Sequence, residues 1–67
     1  MSWKAQVVGK SDPEALERFT CAVQEDMPGA ACVDAGGREA TFLVPTGDAA
    51  AFERYAKLAG CEVVWLD

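Results

Sequence analysis

Two short stretches of this chain share one order of residue types. Leu16-Glu17-Arg18-Phe19 and Phe52-Glu53-Arg54-Tyr55 both run apolar, acidic, basic, aromatic. Four residues ahead of each stands an acid, Asp12 or Asp48, of the kind that starts a helix. Ahead of each acid runs an apolar segment of strand type. A chain built from one strand-helix unit used twice has few folds open to it, because each helix must bury a stripe against a sheet that both units share.

Taken in order, Trp3 to Val8 sets Trp3, Ala5 and Val7 against Lys4 and Gln6, which predicts a strand with one face on a core. Gly9 ends it. Ser11-Asp12-Pro13-Glu14 then offers two overlapping helix starts, Ser11 with Glu14 as a capping box or Asp12 as N-cap with Pro13 in the first turn. Leu16, Phe19, Val23 and Met27 recur at helical spacing and make the expected buried stripe, while Glu14, Glu17, Arg18, Gln24 and Glu25 face water. Pro28-Gly29 stops the helix.

Ala30 to Asp34 and Glu39 to Val44 flank Ala35-Gly36-Gly37-Arg38, and paired glycines between apolar segments signal a hairpin. A two- or four-residue loop sets Val33 opposite Ala40 and Ala31 opposite Phe42, giving one apolar face; a three-residue loop sets Val33 beside Glu39. The even loops therefore win on burial, and they place Asp34 directly opposite Glu39, a like-charged pair. After Pro45, Thr46-Gly47-Asp48 leads into a second helix whose stripe is Phe52, Tyr55, Ala56 and Ala59, ending at Gly60. Glu14 with Arg18 and Glu53 with Lys57 stand four apart, as helical ion pairs do. Cys61 to Leu66 reads as the last strand.

The predicted order is βαββαβ. Right-handed crossovers in both units place the two helices on one face of a single antiparallel sheet of spatial order 4-1-3-2. This α+β arrangement over residues 1–67 resembles the ferredoxin-like sandwich, as one domain. A fragment of a longer α/β sheet is the competing reading, and it requires strands that lie outside this sequence.

Composition then narrows the function. The chain has no histidine, which removes the commonest general base and metal ligand, and its cysteines, Cys21, Cys32 and Cys61, form no CxxC pair. An odd set of three cysteines fits a reducing compartment, with the thiols acting as small apolar groups. We expect no catalytic residue, no metal and no cofactor. Gly9-Lys10-Ser11 resembles the end of a phosphate-binding loop, but position 4, where that loop needs glycine, is Lys4. Net charge is -5, from 11 acids and 6 bases, so direct binding to nucleic acid or to an anionic membrane is disfavoured and a basic partner is permitted. No apolar run approaches the roughly 20 residues of a membrane span, and Met1-Ser2-Trp3-Lys4 lacks the regions of a signal peptide, so a cytoplasmic protein is expected.

What remains is surface. The helix-free sheet face is expected to carry Lys4, Gln6, Val8, Cys32, Asp34, Glu39, Thr41, Leu43, Glu62, Val64 and Leu66, a mixture of apolar and acidic groups. Architecture and charge together resemble small acidic phage proteins, the anti-CRISPR proteins among them, that occupy a basic DNA-binding surface of a CRISPR effector in place of DNA. The resemblance covers the whole chain and involves no shared motif. It implies a non-enzymatic inhibitor, monomeric or weakly dimeric, acting in a bacterial host cell on a basic protein surface such as a CRISPR effector subunit. Asp34, Glu39 and Glu62 on the sheet are the candidate contacts, with Glu14, Glu17 and Glu25 on the first helix as a second surface. The alternative is a ligand-sensing or assembly domain resembling the ACT family, dimerising through its sheet, with Gly9 in the first strand-helix loop as the matching residue.

Overall fold

The structure is a computed structural model that describes residues 1–66. Its elements are β1 (Ser2–Gly9), α1 (Ala15–Asp26), β2 (Ala31–Gly36), β3 (Glu39–Pro45), a single 3-10 turn over Thr46–Asp48, α2 (Ala49–Ala59) and β4 (Cys61–Trp65). The strands form one antiparallel sheet of order β2-β3-β1-β4, which is the expected order read from the other edge. The fold is α+β, with two helices and four strands, consistent with the ferredoxin-like arrangement.

Alternation along the strands decides what the helices cover. Ala5 and Val7 of β1 pair with Phe42 and Ala40 of β3, and all four are buried, as are Val44 and Cys61 on the same face. α1 adds Ala15, Phe19 and Val23, and α2 adds Phe52 and Ala56. The Phe19 ring meets Phe42 at 5.7 Å and Phe52 at 4.9 Å, and Phe42 meets Phe52 at 5.4 Å, all near edge-to-face. Each such contact adds about 0.5–1.5 kcal/mol beyond the area buried. Of the expected core, Phe19, Val23, Phe42 and Phe52 are fully covered, while Leu16 and Tyr55 pack against it half-buried.

The hairpin departs from expectation. Gly36 pairs with Glu39, so the loop is Gly37-Arg38, and Asp34 lies opposite Thr41 rather than Glu39. Gly37 has φ 59° and Arg38 has no positive φ, the pattern of a type II′ turn with glycine at its first central position. Setting the turn one residue later separates the two acids and lets the Arg38 carbonyl accept the Gly9 N–H at 2.9 Å. A bulge between Cys32 and Asp34 then resets the register, so that Cys32 opposes Phe42 and Ala31 opposes Leu43. Cys32 thus leaves the helix-free face expected for it, and Ala31 joins that face in its place.

Local electrostatics also differ from the helical pairs expected. Arg18 does not pair with Glu14: its guanidinium donates to both Asp12 carboxylate oxygens, at 3.2 and 3.1 Å, and to the Ala59 carbonyl at 3.2 Å. The last carbonyls of α2 lack helical partners and carry the negative end of its dipole, so this position attracts a cation. Glu53 does not pair with Lys57 and instead accepts the indole N–H of Trp65 on β4. α1 begins at Ala15, after a turn in which Asp12 accepts the Glu14 N–H at 2.9 Å.

Arg18 stands beside a second link between the two crossovers. Gly60 ends α2 in the left-handed conformation, φ 81°, and its carbonyl accepts the Lys10 and Ser11 N–H groups at 3.0 and 3.1 Å. A Cβ on Gly60 would fall 2.0 Å from Ser11 Oγ. Only glycine lets the chain end the helix in this conformation and approach that loop so closely.

Candidate protein-binding surface

The face of the sheet away from the helices is organised in rows across the strands. At one end Lys4 lies between Leu43 and the Leu66 segment, whose N–H bonds the Lys4 carbonyl at 2.9 Å. In the middle Gln6 lies between Thr41 and Val64. At the other end Val8 lies between Glu39 and Glu62. β2 extends the rows with Ala31 beside Leu43, Asp34 beside Thr41 and Gly36 beside Glu39.

Register therefore brings Asp34, Glu39 and Glu62 onto one face, as alternation predicts, although not as a directly opposed pair. Glu39 and Glu62 stand two strand spacings apart, about 10 Å. Asp34 and Glu39 share a shallow hollow of about 200 Å³ with Gln6 and Thr41. Gln6 donates its side-chain N–H to Glu39 at 2.9 Å, which orients the carboxylate without neutralising it. Alternation along β1 predicts Gln6 on this face, and no motif in the sequence marks it as part of the site. The contact depends on β1 lying beside β3, strands that are not consecutive in the chain.

The charge pattern is one-sided. Among the described residues the single ion pair joins Arg18 to Asp12, away from this face. Lys4 is the basic residue in the rows, and it lies at the end away from Glu39 and Glu62. Exposed apolar groups lie at that end and in the middle row: Leu43 and Leu66 at the end are 38% and 49% exposed, and Val64 beside Gln6 is 42% exposed.

Glu14, Glu17 and Glu25 do not join the sheet acids. They line a separate hollow of about 540 Å³ on α1, together with Arg18, Cys21 and Ala22. Arg18 supplies positive charge in the middle of that group. The two sets of candidate acids thus occupy different layers; of the sheet set, Glu62 also shares a hollow at the β4 edge with Lys10 and Lys57.

Burial pushes the Cys61 thiol up from its ordinary pKa, away from the thiolate a nucleophile needs, with nearby Arg18 opposing the shift. Cys21 and Cys32 are exposed on α1 and β2 respectively. Hydrogen bonding to Asp26, at 2.9 Å, pushes the Tyr55 hydroxyl up and ties α2 to the end of α1. Among the described residues no helix is long and apolar enough to cross a membrane.

No known protein family matches the chain, and no curated protein matches it.

Proposed function

We propose that this chain is a non-enzymatic acidic binding protein of ferredoxin-like fold that occupies a basic, nucleic-acid-binding surface of another protein, in the manner of an anti-CRISPR competitor of DNA. The observation that carries the reading is the placement of Asp34, Glu39 and Glu62 on one open sheet face, while the ion pair of the described residues lies elsewhere. Carboxylates held by strands present negative potential without the entropy cost of ordering a loop, and such potential speeds encounter with a cationic surface. The same acids repel the phosphates of a nucleic acid, so the chain competes for the protein and does not bind the DNA.

The test is displacement. A bacterial lysate is bound to immobilised DNA, and the protein is added at low and at high salt. We expect release of a basic DNA-binding protein at low salt, suppressed at high salt and lost in the Asp34→Lys, Glu39→Lys double variant. Displacement that survives this variant but disappears in Glu14→Lys, Glu17→Lys would move the site to α1. Displacement insensitive to both sets, or none at all, removes the acidic-competitor reading.

A second reading, an assembly domain that dimerises through its sheet, draws on the exposed Leu43, Val64 and Leu66. Mass in solution tests the second reading, since the assembly domain needs a stable dimer whereas the competitor can be a monomer or a weak dimer.

A further inference from the structure

We propose that the open sheet face receives a basic α-helix of the partner protein, the apolar end of its contact stripe over Leu43, Val64 and Leu66 and the cationic end of the same stripe over Glu39, Glu62 and Asp34. This deepens the reading of the face as a surface for a basic partner, and it depends on that reading.

Dimensions and polarity point to a helix. Across the strands, Leu43, Lys4 and Leu66 span two spacings, about 10 Å, which is the width of one helix with its side chains, about 10–12 Å. Along β3, Leu43 and Glu39 lie four positions apart, about 13 Å of strand. The same distance is about nine residues of helix. A single helix running along β1 therefore sets apolar side chains on Leu43 and Leu66 at one end and Val64 in the middle row, and Lys or Arg side chains, two to three turns from the Leu43 row on the same stripe, over Glu39 and Glu62. Lys4 excludes cations from the apolar end and so fixes which way the helix lies. The helix would complete a third layer and cover apolar groups that the chain's own helices leave in water.

A second copy of this chain fits the face less well. Turned about an axis along the strands, it sets acids on acids and Lys4 on Lys4. Turned about the in-plane axis across the strands, it sets Leu43 and Leu66 over the partner's Glu39 and Glu62. Neither arrangement buries leucine on leucine while pairing opposite charges, which a stable isologous interface needs.

The experiment uses a fluorescein-labelled synthetic helix of about four turns, with leucines and lysines segregated to opposite ends of one stripe. Binding to the full chain is read by anisotropy. A control peptide of the same composition carries its lysines on the opposite side of the helix. We expect the segregated peptide to bind about tenfold more tightly than the control, which leaves the protein unchanged and so is independent of any folding effect. Leu43→Ser with Val64→Ser should weaken binding by at least about tenfold at every salt concentration, and Glu39→Lys with Glu62→Lys should do so chiefly at low salt. If only the charge variants matter, a basic partner remains but the helix-docking inference fails. If neither pair matters, both fall. A dimer in sedimentation that dissociates in the Leu43→Ser, Val64→Ser variant shows a second copy on the face and overturns the inference.

Discussion

The two halves of the molecule, β1-α1-β2 and β3-α2-β4, begin from nearly the same four residues and use them differently. In the first half the last of the four, Phe19, is buried and the first, Leu16, is half-covered; in the second half the first, Phe52, is buried and the last, Tyr55, is half-covered. Arg18 clamps Asp12 to the end of α2, whereas Glu53 is the charged member of its copy that reaches across to a partner element. The closing strands differ as well. Cys61, Val63 and Trp65 of β4 are at least partly covered, while every residue of β2 is exposed. A repeated tetrapeptide therefore sets where a helix lies but not what each of its side chains does. The roles follow from what each helix packs against, and the shared core has room for one aromatic from each copy at its centre.

The largest effects should break that symmetry in the core. Phe19→Ala and Phe52→Ala should each cost about 3–5 kcal/mol, enough to unfold much of the population of a chain this small. Their sequence equivalents, Leu16→Ala and Tyr55→Ala, should cost clearly less than either, measured by urea denaturation. Equal losses at all four positions would mean that the two copies are used alike.

Next come the helix ends. α2 stops at left-handed Gly60 against Ser11, whereas α1 stops at Met27 with φ -132° and needs no glycine there. Gly60→Ala should cost about 1–2 kcal/mol for the left-handed backbone and about 1–3 kcal/mol more for overpacking against Ser11. Adding Ser11→Gly should recover the second part alone. A melting temperature unchanged in Gly60→Ala would remove the link between the crossovers.

A smaller effect separates the two arginines. Arg18→Ala should lower the melting temperature, less so at high salt, and Arg54→Ala should leave it near the parent value. Thermal melts at two ionic strengths compare them.

The smallest effect is on acid stability. The Arg18 guanidinium holds the Asp12 carboxyl below its ordinary value of 3.8, helped by the Glu14 amide and opposed by desolvation. Because the folded pKa is the lower one, the stabilisation is present above about pH 4 and is lost as pH falls through the lowered value. Asp12→Asn should therefore be less stable than the parent near neutrality, with the difference closing in acid. A gap that stays constant from neutral pH to below pH 3 would contradict this.

Element order, sheet order and core could be read from the chain because burial is a strong and periodic signal: Ala5, Val7, Ala40, Phe42 and Val44 declare one face by alternation. Alternation likewise put Asp34, Glu39 and Glu62 on the open side. What could not be read depends on single residues whose alternatives differ little in energy. The turn slides by one position between neighbouring glycines, and the bulge at Val33 then exchanges Cys32 for Ala31 on the open face and leaves Val33, expected opposite Ala40 on the apolar face, 51% exposed while Ala35 takes its place opposite Ala40. Helical spacing allowed Arg18 to meet Glu14, but the partners it takes, Asp12 and the Ala59 carbonyl, are brought near by the crossover loops. Gln6 and Glu39 meet only because strands far apart in sequence are neighbours in the sheet.

The irregularity at Val33 has a consequence for behaviour at high concentration. β2 is an outer strand with no helix contact of any weight, so one row of its backbone groups is free to template another chain. A bulge in that row breaks the even spacing that stacking requires, and Asp34 adds charge beside it. Deleting Val33 should straighten the edge and turn a dispersed protein into one that scatters light as it is concentrated, with its helical content unchanged at the outset. On that outcome the residue that misaligns the hairpin is what closes the β2 edge to a further strand.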